Sequence, residues 1–432
     1  MSRKFARTLL ILLTIGIIFQ EQRACAQKVA RDTLSITIKE AEAEFLQNNL
    51  SLLAGRFNID HAKAEVITAG LFNNPEFGFE NILFNPETKK FFDMSYDGGQ
   101  YTGSISQLFV TAGKRNKNIN LAKIGVKQSE YEFFDLLRTL KYTLRTDFYK
   151  IYYKEQSAKV YQEEINSLST TLAVFNQQYQ KGNIAQNEVL RIQSQLYTLQ
   201  TELNDLRDEI DDVQSEFKLL IRVSPQRYIL PKMELNIATK NVLEEVPYKS
   251  LLDSAYANRY DLKIAKSAVD YSNLNLKLQH AMAIPDITVG LTFDKLGSTV
   301  RNYSGLGVSI PLPLFNRNQG GIKQAKIAIK SSMNSLQQQK DEIESELDNS
   351  FQAAFRLERL YNSFDPKFTA NFTHLIEEVA KNYQKRNISL LEFLDFYDSY
   401  KTNTLQMNSM ELNRINSLEE LNFITGTQFF NK

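Results

Sequence analysis

Side chains able to do chemistry are few in this chain. Histidine occurs three times, as His61, His280 and His374, and cysteine once, as Cys25. A metal centre needs several ligands at short spacing, and no histidine has another His or Cys at such spacing. No nucleophile elbow of the G-x-S-x-G kind occurs. The pair Gly305 and Gly307 has no third glycine and sits in an extended run, so it is not a phosphate loop. The 51 basic and 50 acidic residues nearly cancel, which argues against the basic stripe of a nucleic-acid binder. The chain reads as having no catalytic residues, metal ligands or cofactor.

The elements around these sparse residues are more informative. Only 17 Gly and 9 Pro occur in 432 residues, which favours long uninterrupted helices. Arg3, Lys4 and Arg7 precede the apolar run Leu9 to Phe19, and Ala24-Cys25-Ala26 fits a small-x-small cleavage site. This pattern predicts a signal peptide over residues 1–26. The rival is a lipoprotein signal with Cys25 lipidated, although Gln22 and Arg23 fit it poorly. Cleavage removes four basic residues and one acidic one, leaving a net charge of −2 and no cysteine. No later run of eighteen apolar residues predicts a membrane helix.

The chain repeats itself. YQKGNIAQNEVL (Tyr179 to Leu190) and YQKRNISLLEFL (Tyr383 to Leu394) share seven of twelve residues at an offset of 204. NNPEFGFENILF (Asn73 to Phe84) is echoed by AIPDITVGLTF (Ala283 to Phe293). The repeats predict one half over 27–230, a linker over 231–246 and a second half over 247–428. Each half should contain a helix (Ile36 to Leu71; Tyr248 to Met282), two strands, a very long helix (Lys114 to Lys181; Gln319 to Lys385) and a return helix (Ile184 to Ile221; Ile388 to Phe423). The strands fall at about 75–86 and 101–111, then 285–294 and 302–311. Tip turns fall near residues 182 and 386, and Pro366 should kink the second long helix.

Lys114 to Lys181 would reach roughly 100 Å at about 1.5 Å per residue. After the tip, Val189, Ile192, Leu196, Leu199, Leu203, Leu206, Ile210, Val213, Phe217 and Leu220 alternate three- and four-residue steps. That heptad seam predicts lengthwise packing as in a coiled coil. In the strands, Ile287, Val289, Leu291 and Phe293 alternate with Asp286, Thr288, Gly290 and Thr292. Such alternation suits a barrel with lipid outside and a watery lumen, or a half-buried soluble sheet. The signal peptide and the long helices favour the membrane. Four strands cannot close a barrel, and open edges cannot sit in lipid. Three copies would give twelve strands, and two copies would give eight. Aromatic residues at the strand ends (Phe84, Phe91, Phe92, Tyr96, Tyr101, Tyr303) would form an interfacial girdle.

These residues resemble the TolC-type outer-membrane efflux proteins, the outer-membrane factors, over nearly the whole mature chain. SQLFVTAGKR (Ser106 to Arg115) and SIPLPLFNRNQGGI (Ser309 to Ile322) are similar to the family's two strand-to-helix passages. PLPLFNRNQG resembles the CzcC and CusC branch, which exports heavy-metal cations. The resemblance implies a mainly α fold with a small membrane β part: two tandem repeats of long coiled-coil helices with two strands each. Three chains would form a twelve-stranded β-barrel on an α-helical barrel. It implies an outer-membrane location, contact with outer-membrane lipid, a periplasmic adaptor and an inner-membrane pump of the RND type. It implies no enzymatic activity.

Under the same resemblance, the tips Gly182, Asn183, Ile184 and Ala185, with Arg386, Asn387, Ile388 and Ser389, would contact the adaptor. Arg386 departs from the family's glycine there. Glu392 and Asp395 match the acidic constriction at the periplasmic entrance, with Asp398 one turn further on, and threefold rings of these carboxylates would attract cations. Crowding would raise their pKa values. The expectation is an efflux channel for heavy-metal cations. Multidrug or protein export is the alternative within the class, and a periplasmic coiled-coil scaffold the alternative outside it.

Overall fold

In a computed structural model of the chain, residues 32–233, 243–297, 300–365, 368–385 and 387–431 are described. The expected signal peptide over 1–26, with Cys25, lies outside them, as do Pro366, Arg386 and residues 234–242 of the expected linker.

The first half runs β1 (Thr33–Thr37), α1 (Ile38–Asn48), α2 (Leu50–Gly70), β2 (Glu76–Asn81), β3 (Phe84–Asn85), β4 (Lys90–Phe91), β5 (Tyr101–Phe109), α3 (Lys114–Gln180), α4 (Gln186–Ile221) and β6 (Tyr228–Lys232). The second half runs α5 (Tyr248–Asn258), α6 (Tyr260–Met282), β7 (Ile287–Asp294), β8 (Tyr303–Ser309), α7 (Gln319–Ser363), α8 (Phe368–Gln384) and α9 (Leu390–Thr425).

Three expected single helices are interrupted. Where one helix was expected from Ile36, Thr37 ends β1 and caps α1, its hydroxyl accepting from the Glu40 amide while Glu40 reaches back to the Thr37 amide. This reciprocal box satisfies amides that a helix start leaves free. The chain then breaks at Asn49, whose backbone is extended. Its side chain accepts from the Leu52 amide and donates to the Leu220 carbonyl, fixing α2 to the end of α4. Arg259 makes the matching break between α5 and α6, held by Asp261 and Glu346. The second long helix is two helices, α7 and α8.

α3 is continuous over 67 residues, about 100 Å at about 1.5 Å per residue. Its lower part packs along α4, whose buried face is Val189, Ile192, Leu196, Leu199, Leu203 and Ile210. Higher up, Phe148, Phe217, Phe45 and Ile229 join one core that includes β1 and β6. β1 and β6 pair in parallel, Ile36 opposite Pro231. Arg145 of α3 crosses this layer to Glu419 of α9 at 2.8 Å and Glu42 of α1 at 2.6 Å. No described helix is long and apolar enough to cross a membrane.

The remaining large element is an antiparallel sheet in the order β2-β5-β7-β8. All four helix connections leave it at one end. The turns joining β2 to β5 and β7 to β8 lie at the other.

Candidate functional site

The register of the sheet sorts its side chains by type. Phe77, Ile105, Leu291 and Leu306 stand opposite one another in one row. Alternation puts Phe79, Phe109, Val289, Phe293 and Val308 on that same face. The opposite face carries Gly78, Ser104, Thr292 and Gly305 in one row and Ser106, Gly290 and Gly307 in the next. Phe77 is 76% exposed and Leu306 71% exposed, so the described residues leave this apolar face uncovered. Tyr101 lies 6.3 Å from Phe79 and 6.0 Å from Phe293, an aromatic row across three strands near the end away from the helices. Among the described residues, both outer strands, β2 and β8, have one unpaired edge.

At the far end of the helices, two turns use one closure. Gly182 has φ +76, a conformation other residues rarely adopt. The Asn183 amide donates to the Gln178 carbonyl at 2.9 Å, and its side chain donates to the Gln178 side chain at 2.8 Å. At the second turn the Asn387 amide donates to the Asn382 carbonyl at 2.9 Å, with a side-chain bond at 3.3 Å. Both pairs close the helix five residues back, a Schellman-type ending. Asn183, Ala185, Asn387 and Ser389 are exposed and Ile184 is half-buried. Ile388 packs against the coiled-coil core. Stacking of Phe175 on Tyr383, and of Tyr383 on Phe393, sets the second hairpin against α3.

The three carboxylates expected at the entrance have different surroundings. Ser389 caps α9 and its hydroxyl accepts from the Glu392 amide, while Glu392 accepts from the Ser389 amide at 2.8 Å. These bonds from Ser389 hold the Glu392 carboxyl below its ordinary range. The expected rise from crowding is therefore not what the protomer imposes on it. Asp395 is exposed. Asp398 pairs with Lys401 at 3.1 Å, and Lys401 also reaches Glu202 of α4 at 3.2 Å.

Beside this pair lies a group that sequence reasoning missed. Glu164 of α3 is 5% exposed, and its Oε2 accepts no hydrogen bond among the described residues. Burial pushes its pKa up to about 7; Lys401 opposes the shift, and Asp398 and Glu202 add to it. Lys401 three residues after Asp398 is a legible helical pair. Glu164 and Glu202 carry no such signal, because the fold alone brings them near. Among the described residues, no group of three or more His, Cys, Asp or Glu side chains is placed to hold a metal ion.

Residues 43–220 match the outer membrane efflux protein family. That match covers much of the first half and stops at the end of α4. The fold extends the likeness to both halves. The Campylobacter jejuni CmeC outer membrane channel superposes with a TM-score of 0.73 at 14% identity, over 91% of this chain and 86% of that one. The outer membrane protein VceC of Vibrio cholerae gives 0.70 at 14% identity, over 91% and 96%. The cobalt-zinc-cadmium resistance protein CzcC of Cupriavidus metallidurans is 29% identical over 85 residues. That match spans a fifth of this chain and a fifth of CzcC.

Proposed function

We propose that the chain forms the outer-membrane channel of an efflux system, a passive conduit without enzymatic activity. The observation carrying this reading is the four-stranded sheet, apolar on one face and small or polar on the other, with both edges open. Lipid tolerates no unpaired backbone edge, so β8 of one copy pairs with β2 of the next. The helical layer has the same two open sides. α2 packs on α3, α3 on α6 and α6 on α7, so α2 flanks the β2 edge and α7 the β8 edge. Three copies give a twelve-stranded barrel continued by a helical barrel in the periplasm, with lipid on the apolar face.

The turns at Gly182, Asn183, Ile184 and Ala185, and at Arg386, Asn387, Ile388 and Ser389, then form the periplasmic rim that meets an adaptor and, through it, an inner-membrane pump of the RND type. Glu392, Asp395 and Asp398 line the entrance. Asp395 is the carboxylate most available to passing cations, since Glu392 caps its helix and Asp398 holds Lys401.

For cargo we propose heavy-metal cations, supported by the partial likeness to CzcC and by the PLPLFNRNQG passage. The test is growth of a deletion strain, with and without the gene, on cobalt, zinc, cadmium, copper and silver salts and on a dye, detergent and antibiotic panel. Metal sensitivity rescued by the gene supports the assignment. Sensitivity confined to dyes and antibiotics keeps the channel and removes the metals. Extraction of the protein without detergent would favour a soluble scaffold instead.

A further inference from the structure

The passage from β8 to α7 contains a side chain that ordinary folding does not explain. Phe315 is 91% exposed, and Leu312 and Leu314 are 76% and 68% exposed. Exposed apolar residues on a loose loop would need no account. This segment is pinned instead. Pro311 and Pro313 fix its backbone and remove two amides that could extend the sheet. The Leu314 amide donates to the Leu312 carbonyl at 2.9 Å, a tight turn centred on Pro313. The Gln319 side chain donates to the Phe315 carbonyl at 3.0 Å. Asn318, at φ +55, donates its side-chain amide to the Gln279 carbonyl at 2.7 Å, tying the passage to α6.

A second apolar patch lies at the same height on the opposite open side. Leu71 and Phe72, in the passage from α2 to β2, are 65% and 75% exposed. They too are held. The Leu71 amide donates to the Thr68 carbonyl. Arg115 stacks 4.1 Å over the Phe72 ring and donates to the Gly70 carbonyl at 2.7 Å. The first patch begins directly after β8, and three residues separate the second from β2. Pairing the two open edges therefore brings the patches together by connectivity alone. Holding both rigid before contact removes much of the ordering cost of association.

We infer that the Ile310–Phe315 strap of one copy seats on Leu71 and Phe72 of the next, clasping the ring where the sheet meets the helices. This deepens the channel reading and rests on its ring of identical copies. The strap covers apolar surface at the level where strand hydrogen bonds end and helix packing has yet to begin, and so closes the wall there against leakage to the periplasm.

The test places a benzophenone side chain in the full chain, as Phe315→p-benzoylphenylalanine, and irradiates outer membranes. The expected product has twice the chain mass, with the link mapped to residues 67–72 of another copy. Links only to lipid, to the same copy or to another protein, in material whose native mass is still that of the ring, overturn the clasp and leave the channel reading standing. If the wild-type protein itself has the mass of a single chain, the channel reading fails and the clasp with it. As a second readout, Phe315→Ala should lower the temperature at which the oligomer dissociates in detergent, and Phe315→Leu should restore most of it. An unchanged temperature in Phe315→Ala contradicts the clasp.

Discussion

The two passages from strand to helix occupy equivalent places in the two halves and are built differently. In the first, Lys114 donates to Asp286 at 2.7 Å and to the Ile284 carbonyl at 2.6 Å, and the Thr111 amide and hydroxyl bond Asp286 and the Pro285 carbonyl. It is closed by the start of β7 within its own chain. In the second, Leu312, Leu314 and Phe315 are left largely exposed by the described residues of their own chain. The difference follows from sheet order: β5 is an inner strand, and β8 is an edge. An inner passage finds its partner in the same copy, whereas an edge passage is left, in the proposed ring, to find it in another.

Removing the inner partner should cost the protomer most. Asp286→Ala leaves Lys114, whose side chain is 10% exposed, with one carbonyl. We expect a loss of about 2–3 kcal/mol of unfolding free energy in denaturant titration. A loss below ~0.5 kcal/mol would erase the contrast between the passages.

Glu164 is the case of a group enclosed without a hydrogen-bond partner for one oxygen. Its folded-state pKa of about 7 lies above the ordinary 4.5, so the folded protein holds that proton more tightly than the unfolded chain. The stability this proton contributes is full below about pH 4.5 and is lost as pH rises through about 7. Glu164→Gln should therefore raise the melting temperature at pH 8, by about 1–2 kcal/mol of stability, and leave it nearly unchanged at pH 4. A gain that is equal at both pH values would contradict the assignment.

The tips repeat the contrast on a smaller scale. Asn183 and Asn387 close their helices alike, but α9 begins with the Ser389–Glu392 box while α4 begins at Ala185 with no side-chain cap. Ser389→Ala should cost about 1 kcal/mol, seen as faster amide exchange over the first turn of α9. Ala185→Ser should slow exchange at the first turn of α4, because Glu188 stands where Glu392 does. Smallest within the protomer is Phe315→Ala, expected to change exchange protection in α7 by less than ~0.5 kcal/mol. A large local loss there would mean that the strap already serves its own chain.

Much of this was legible in the sequence for physical reasons. Period-two alternation at Ile287, Val289, Leu291 and Phe293 marks a sheet with one apolar face, and the ten-residue seam from Val189 to Leu220 marks a helix packed along its length. The S-x-x-E at Ser389 to Glu392 is itself a helix-start signature. What escaped depends on distance. The pairing of Thr33–Thr37 with Tyr228–Lys232 joins strands 195 residues apart, and Pro231 reads as a linker until its edge position is known. The breaks at Asn49 and Arg259 carry no Pro or Gly. Arg259 breaks the helix where Asp261 and the distant Glu346 hold its guanidinium. Glu164, Glu202 and Lys401 meet only because three helices run side by side, and no spacing in one helix reports that.

In the proposed channel the open edges β2 and β8 are closed by other copies of the same chain. Native mass measurement of the particle extracted from outer membranes in mild detergent tests it most directly. The expected particle holds three copies of the mature chain. A particle containing a single copy, or protein released without detergent, would contradict it.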